Sequence, residues 1–359
     1  MDLIRTGLQN LDDARANLDR LKADGVSDER LVGMLKALSK ACDPDCALSN
    51  FVDITNAMQS QGRDFDAMVP DEAALERLIT VLGVSDEMGK LMRFRPELVE
   101  AAANDACESH LYNHEQRRAH VLKSVGADPN DHTMPTASLP LAEAATALRK
   151  TYRKQLAAIM AQDATANDPI EIQPRISTEL SDLADAALEG ALAIARHEVD
   201  GSEHVRFAII GMGKLGAQEL NYVSDVDLIY VVEPADMDTN GMALSRIGTK
   251  IATTLQRVCQ SVIMGVAEPT LWQIDGGLRP EGKDGPLVRR LESHEAYYEQ
   301  WAENWEFQAL LKARPVAGDT DLGQAYMDMT RPFVWTASKR DNFVYDCQQM
   351  RKRVEDLIP

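Results

Sequence analysis

Apolar positions in the first third of the chain recur at spacings of three and four. Stretches such as ERLVGMLKALSKA and EAALERLITVL carry this pattern from Asp2 to about Lys123, with few β-branched runs, and the period predicts an array of amphipathic helices. Turn formers crowd Ser124 to Pro140, SVGADPNDHTMPTASLP, which reads as a loop. Leu141 to Asp163 returns to a helical pattern built from strong helix formers. The polar, proline-bearing ATANDPIEIQPR, Ala164 to Arg175, reads as a connector. Ser177 is then placed to cap a helix over Thr178 to Glu198, with Leu180 at N3 leaving the capping box incomplete.

After Glu198 the pattern changes. VRFAII (Val205 to Ile210) and VDLIYVV (Val226 to Val232) are short, β-rich and bounded by turn residues, and TLWQIDGGL (Thr270 to Leu278) is a third strand candidate. A helical segment, roughly Met242 to Ile263, lies between the second and third. Strand, short connector, strand, helix, strand predicts an α/β (α+β) domain. The expected division is a helical domain over 1–175, a second domain over 176–335, and at 336–359 the start of a truncated helical segment, because the chain stops at MRKRVEDLIP within a helix-like pattern.

Composition narrows the classes. A chain of 359 residues exceeds the roughly 250 residues at which single cores stop growing, so at least two domains are expected. No run approaches the roughly 18 consecutive apolar residues of a membrane span. The N-terminus mixes acids and bases without the order of a signal peptide, which makes the cytoplasm the expected location. Cys42, Cys46, Cys107, Cys259 and Cys347 are few, odd in number and scattered, against a disulfide framework. CDPDC, with Cys42 and Cys46, lacks a second Cys/His pair at ligand spacing and reads as ordinary reduced thiols. A net charge of −19 repels phosphate backbones and argues against nucleic acid as a partner. The best basic patch, RKTYRK (Arg149 to Lys154), reads as a solvated helix face.

The chemistry centres on AIIGMGKLGAQELNYVSDVDLIYVV, Ala208 to Val232. Gly211-x-Gly213-x-x-Gly216 has the spacing of a dinucleotide turn, but only Ala217 to Ser224 separate it from the acids, too short for a crossover helix. Asp225 and Asp227 also precede the second apolar run, where a ribose-binding acid would follow it. A Walker loop fails because Lys214 precedes Gly216 and no Gly-Lys-Ser/Thr occurs. On an extended strand Asp225 and Asp227 share a face with Cα atoms about 6.6 Å apart, while Val226 faces the other way. Two carboxylates at that separation repel by about 2 to 3 kcal/mol at an effective dielectric of 20, a penalty that a divalent cation removes. Oxygen ligands and phosphoryl chemistry suit Mg²⁺ or Mn²⁺, and Asp275 in WQIDGGLRP is placed to be a third ligand from an adjacent strand. The alternative is an Asp-x-Asp pair that caps a turn and stays solvated.

GMGKLGAQELNYVSDVDLIYV resembles the nucleotidyltransferase signature of the bifunctional glutamine synthetase adenylyltransferase/adenylyl-removing enzymes, G-x-G-K-x-G-G-x-E-L followed by S-D-x-D-L. Ile274 to Asp319, IDGGLRPEGKDGPLVRRLESHEAYYEQWAENWEFQALLKARPVAGD, resembles the second signature of that family. LGVSDEMGKLMRFRPELVEA and ELSDLADAALEGALAIA extend the likeness to nearly the whole chain. The resemblance implies a DNA-polymerase-β-like nucleotidyltransferase fold behind a mostly helical domain. It implies metal-binding carboxylates at Asp225, Asp227 and Asp275, and Gly211, Gly213, Lys214 and Ser224 in the loop that approaches the nucleotide phosphates. Arg279, in Leu-Arg-Pro, matches a phosphate or protein contact. Ala217 stands where the family has a second glycine, and Gly277 where many members have arginine, leaving no guanidinium there to meet phosphate.

The family carries two such catalytic halves. A single signature behind about 200 residues of helical lead-in resembles the N-terminal, adenylyl-removing half, and the helical segment with G-G-x-R-D-x-E-F is absent. The implied reaction is phosphorolysis of adenylyl-tyrosine on glutamine synthetase, phosphate in and ADP out, under a PII-type nitrogen signal protein. The alternatives are adenylylation with ATP on the same fold, and a non-catalytic regulatory binding fragment.

Three further groups have structural and functional readings. Tyr297, Tyr298, Trp301, Trp305 and Gln308 fall at helical spacing and read as one buried face. Lys312 and Arg314 either reach a phosphate or sit as solvated helix C-terminal charges. His294 could shuttle a proton, though an isolated histidine more often lies at the surface or in a cap.

Overall fold

In the computed structural model, which describes residues 3–104, 112–236 and 240–356, the chain divides into two units. One comprises Met1–Tyr112 with Arg153–Ile176, the other Asn113–Tyr152 with Ser177–Pro359.

The first unit is helical, as the three-four spacing predicts. It holds α1 (Leu11–Ala23), α2 (Asp28–Leu38), α3 (Pro44–Ser60), α4 (Phe65–Met68), α5 (Glu72–Val84), α6 (Asp86–Phe94) and α7 (Pro96–Ala103). Short polar side chains start most of these helices: Asn10, Ser27, Asp43, Asp64, Asp71 and Ser85 each accept a backbone N–H of the first turn, satisfying donors that a helix start leaves open. CDPDC is one such start. Asp43 accepts from Cys46 N at 3.0 Å and Pro44 fills the first turn, so the pair of cysteines brackets a helix cap. Leu21, Met34, Leu38, Phe51, Ile54 and Leu78 form the centre of the core. Cys42, Cys46, Cys259 and Cys347 are unbridged, and Cys107 lies outside the described residues.

Two boundaries differ from the pattern. Residues 113–152 belong with the second unit, not with a helical domain over 1–175. In α8 (His114–Ser124) the buried Arg117 pairs with Glu179 at 3.0 Å. In α9 (Leu141–Ala164) Arg149 is buried and donates to the carbonyls of Val258 and Ser261, each at 2.7 Å, and of Glu268 at 3.0 Å. Arg149 therefore clamps the end of another helix, which a run of basic residues does not reveal, and RKTYRK is a solvated face only at Lys150 and Lys154, since Arg153 is buried as well. The second difference is α10, one helix from Pro169 to Glu198 where the pattern predicts a connector and a new start at Ser177. Asp168 accepts from Ile170 N and Glu171 N, opening the helix ahead of Pro169, a position where proline is well tolerated. Ser177 lies inside, and its carbonyl accepts from Ser181 Oγ at 2.8 Å.

The second unit is built on a mixed sheet, so the α/β expectation holds at the level of class. Strand β1 (Val205–Gly211) runs antiparallel to β2 (Val226–Pro234) and to β5 (Arg314–Gly318), whereas β3 (Ile274–Asp275) and β4 (Val288–Arg289) run parallel to β2. The order is β3-β2-β1-β5, with β4 also on β2. β3 has two residues rather than the nine of TLWQIDGGL. The lead-in bonds elsewhere, Leu271 N to Cys259 O and Trp272 Nε1 to the Tyr152 hydroxyl, and Gly276-Gly277 turns the chain away. Helix α12 (Gly241–Gln260) covers the face of Tyr230 and Val232. The face of Ile229 and Val231 packs on α13 (Leu291–Gln300), α14 (Asn304–Leu310) and α15 (Thr320–Thr336). Helix α16 (Phe343–Glu355) is tied to α14, with Asn304 Nδ2 donating to Asp346 at 2.7 Å, and belongs to this unit. No helix among the described residues is long and apolar enough to cross a membrane.

The aromatic stripe is two helices rather than one. Glu303 and Glu306 form a capping box that restarts the chain at α14, so His294, Tyr298, Ala302 and Phe307 are buried while Trp301 is 72% exposed and Gln308 is exposed. His294, expected at the surface or in a cap, stacks on Tyr298 and meets the Tyr326 ring edge-on at 5.2 Å. It lies against the Tyr230 backbone with neither ring nitrogen in a hydrogen bond of normal geometry. Burial, then the Arg289 cation, lowers its pKa to about 3. The unfolded chain therefore binds this proton below an ordinary histidine pKa of about 6.5 while the folded chain refuses it until about pH 3, and stability falls with acidification across that window. The four tryptophans, Trp272, Trp301, Trp305 and Trp335, all lie in the second unit, so urea unfolding followed by their fluorescence reports on it alone. Between pH 7.5 and 5 the parent is expected to lose about 2 kcal/mol more than His294→Leu; parallel losses would refute the assignment.

Candidate active site

Strand β1 ends at Gly211 and the chain turns at once into a single helical turn, α11 (Gly213–Gly216). Met212 N donates to the Asp227 carbonyl at 2.9 Å, fixing the turn beside β2. Gly213 has φ +54° and a Cβ there would collide with the Asp227 carboxylate; only glycine permits both the backbone and the approach. A Cβ on Gly216 would collide with the carbonyls of Lys312 and Gly211. The connector back to β2 is as short as its sequence requires, and β1 and β2 are antiparallel, so the dinucleotide crossover is absent.

Asp227 and Asp275 are register partners on adjacent parallel strands. Asp225 immediately precedes β2; Asp225 and Asp275 are exposed and Asp227 is half-buried. Burial raises the Asp227 carboxyl pKa, followed in effect by the charges of Asp275 and then Asp225, with Lys214 acting in the opposite sense. The carboxyl groups do not all come within 4.8 Å of one another. An all-oxygen donor set with a disfavoured central carboxylate fits a hard divalent ion. Asp275 is oriented by Gly277, whose N–H donates to Oδ1 at 2.7 Å. Lys214 Nζ donates to Ser224 Oγ at 3.2 Å, and Ser224 donates to Asn221 at 2.6 Å, so Lys214 and Ser224 close the loop between turn and strand.

The other expected phosphate contacts are differently engaged. Arg279 donates to the carbonyls of Gly276 (2.7 Å), Lys283 (3.2 Å) and Gly285 (3.2 and 3.3 Å), bracing the loop that follows Asp275. Lys312 is half-exposed and pairs with Glu219 at 2.6 Å. Arg314 opens β5 and is bidentate to the buried Asp185, at 2.6 and 3.2 Å; it is not a solvated charge at a helix end.

Sequence reasoning overlooked Ser181, Asp182 and Asp185 on α10. Gln218 Nε2 donates to Asp182 at 3.2 Å, and Leu220 N to Ser181 Oγ at 3.4 Å. Their signal, polar residues within an otherwise alanine- and leucine-rich helix, is that of any solvated stripe. His114, Asp182 and Asp185 bring ligand atoms within 4.8 Å of one another, but Arg314 already neutralises Asp185. The adjoining cavity of about 250 Å³, lined in part by His114, Arg118, Glu189 and Asp319, includes none of the three aspartates of the β2–β3 cluster.

A mixed sheet with carboxylates paired across its parallel strands, beside a glycine turn, is the setting in which the family is recognised: the chain belongs to the glutamate-ammonia ligase adenylyltransferase family, whose model matches residues 75–329. It is 77% identical over its whole length to a protein of Bifidobacterium longum named bifunctional glutamine synthetase adenylyltransferase/adenylyl-removing enzyme, of which it covers 33%. Proteins of the same name from Cutibacterium acnes and Corynebacterium glutamicum are 40% and 38% identical over 100% and 96% of the chain, which covers 36% and 34% of them. The chain thus spans about a third of the length of the curated relatives it matches.

Proposed function

We propose that this chain is a nucleotidyltransferase of polymerase-β-like fold that removes AMP from an adenylylated tyrosine of glutamine synthetase by phosphorolysis. The observation that carries the reading is the register of Asp227 with Asp275, two residues after Asp225 and in contact with Gly213. The names of the relatives supply the substrate, and the resemblance of the helical lead-in to the adenylyl-removing half supplies the direction. The same reading takes a PII-type nitrogen signal protein as regulator.

Asp225, Asp227 and Asp275 would hold Mg²⁺ or Mn²⁺. Such ions, when bound, would neutralise charge on the transferring phosphoryl group. Gly211 and Gly213 leave the turn without side chains, so backbone can approach phosphate oxygens. Lys214 and Ser224 add a cation and a hydroxyl at the same edge. A phosphate oxygen forms the new P–O bond as the bond to the tyrosyl oxygen breaks. The proton of hydrogenphosphate ends on tyrosine and ADP leaves, with no covalent enzyme intermediate.

The test is the mass of adenylylated glutamine synthetase before and after incubation with phosphate, Mg²⁺ and this chain. Loss of one adenylyl group with equimolar ADP is the expected result. Because the relatives' name covers both directions, the second reading is adenylylation, revealed by a mass gain on unmodified glutamine synthetase with ATP. No change in either arm would favour a regulatory binding fragment.

A further inference from the structure

Arg314 has the composition of a phosphate ligand but the contacts of a brace. Every guanidinium nitrogen is committed: Nη1 to Asp185, Nη2 to Asp185 and to the Leu215 carbonyl at 3.1 Å, and Nε to the Gly216 carbonyl at 3.3 Å. Those two carbonyls are the C-terminal edge of α11, while Gly213 at its other end touches Asp227. In the sheet Arg314 is the register partner of Gly211, which in turn pairs with Leu228. Its backbone is therefore two strand spacings, about 10 Å, from β2, and its side chain is held at α10.

Two more residues of α10 grip the same segment. Asp182 accepts from the side chain of Gln218, which sits at φ +57°, and Ser181 Oγ accepts from Leu220 N. The backbone of Lys312 closes on Gly216 with no room for a methyl group. A four-residue helix cannot hold itself, since nucleation costs more than one turn returns. Its shape is imposed from the α10 and β5 side.

We propose that Asp185 and Arg314 are positioning residues that hold the glycine turn by its C-terminal carbonyls against Asp227 and thereby set the affinity for the phosphates of a nucleotide at the cluster of Asp225, Asp227 and Asp275. The inference deepens the proposed function and, in its nucleotide part, rests on it.

Direct contact and bracing make opposite forecasts for Asp185→Asn. If Arg314 touches phosphate, loosening Asp185 frees the guanidinium, and Mg²⁺–ADP binds as well as before or better. If Arg314 braces the turn, Asp185→Asn and Arg314→Gln each weaken Mg²⁺–ADP, read by calorimetry on the full chain, by about tenfold, one 1.4 kcal/mol step. Arg314→Lys should recover part of that, and Ser181→Ala should weaken binding about threefold. Amide exchange of residues 213–220 should accelerate in every weakened variant while that of β2 stays unchanged, which separates a loosened turn from a misfolded sheet. Unchanged exchange in Asp185→Asn, or undiminished ADP affinity with Asp185→Asn, overturns the proposal. Should the parent bind no Mg²⁺–ADP, the nucleotidyltransferase reading fails, and exchange alone decides whether the brace exists.

Discussion

Asp227→Asn is expected to stop metal-dependent ADP release and, at the same time, to make the second unit harder to unfold. The two effects share one cause. Burial and the charges of Asp275 and Asp225 raise the Asp227 pKa, so ionising it at neutral pH opposes folding. A group raised in the folded state stabilises only below its unfolded pKa, and that contribution is gone once pH has risen through the folded value. Asparagine keeps the shape and removes the charge, so in metal-free buffer at pH 7 the urea midpoint from tryptophan fluorescence should rise. On the proposed reading the same change removes the central anionic ligand of the metal. Since bound metal supplies several kcal/mol of charge stabilisation and each 1.4 kcal/mol is tenfold in rate, ADP formation should fall on the order of 10³-fold or more. Added Mn²⁺ should stabilise the parent and leave the variant nearly unmoved. A variant that is less stable without metal, or that retains turnover, would remove Asp227 from the centre of the site.

Gly216→Ala should be strongly destabilising for a change of a single methyl group. The new Cβ would strike two backbone carbonyls, those of Lys312 and Gly211. Neither can swing aside as a side chain can, because one precedes β5 and the other ends β1. Overpacking against rigid neighbours costs about 3 kcal/mol or more. Gly241→Ala is the control: it opens α12 with nothing within 4 Å of its added Cβ, and alanine at an unstrained position should gain about 0.5 kcal/mol from the unfolded state. Urea midpoints for the pair should therefore move in opposite directions. Equal midpoints would mean that β5 does not press on the glycine turn.

What sequence conveys here depends on whether the determining contact is local. The helices of the first unit, β1, β2 and α12 are visible because periodicity and turn residues lie within each segment. Asp225 and Asp227 stand out because they lie between a glycine turn and an apolar run, and the register of Asp227 with Asp275 is what the structure adds. Asp275 is visible too, although the strand drawn around it was far too long: a strand's length is set by its partner, and Leu271 and Trp272 have other partners. Proline misleads at Pro169 and Pro174, where a helix start and its early turns accept it. Arginine misleads most. Arg149, Arg279 and Arg314 all look like charges awaiting solvent or phosphate, and all three donate to backbone carbonyls. Nothing in their neighbours along the chain discloses which carbonyls, because those lie far away in sequence or are set by a loop's final shape.

The pairing of Asp227 with Asp275 spans all of α12 and the segment after it. As the chain leaves the ribosome, then, its first two acids emerge without the third. Until β3 has docked, the carboxylate cluster lacks one of its three members, and on the proposed reading metal capture and group transfer would both wait for that docking.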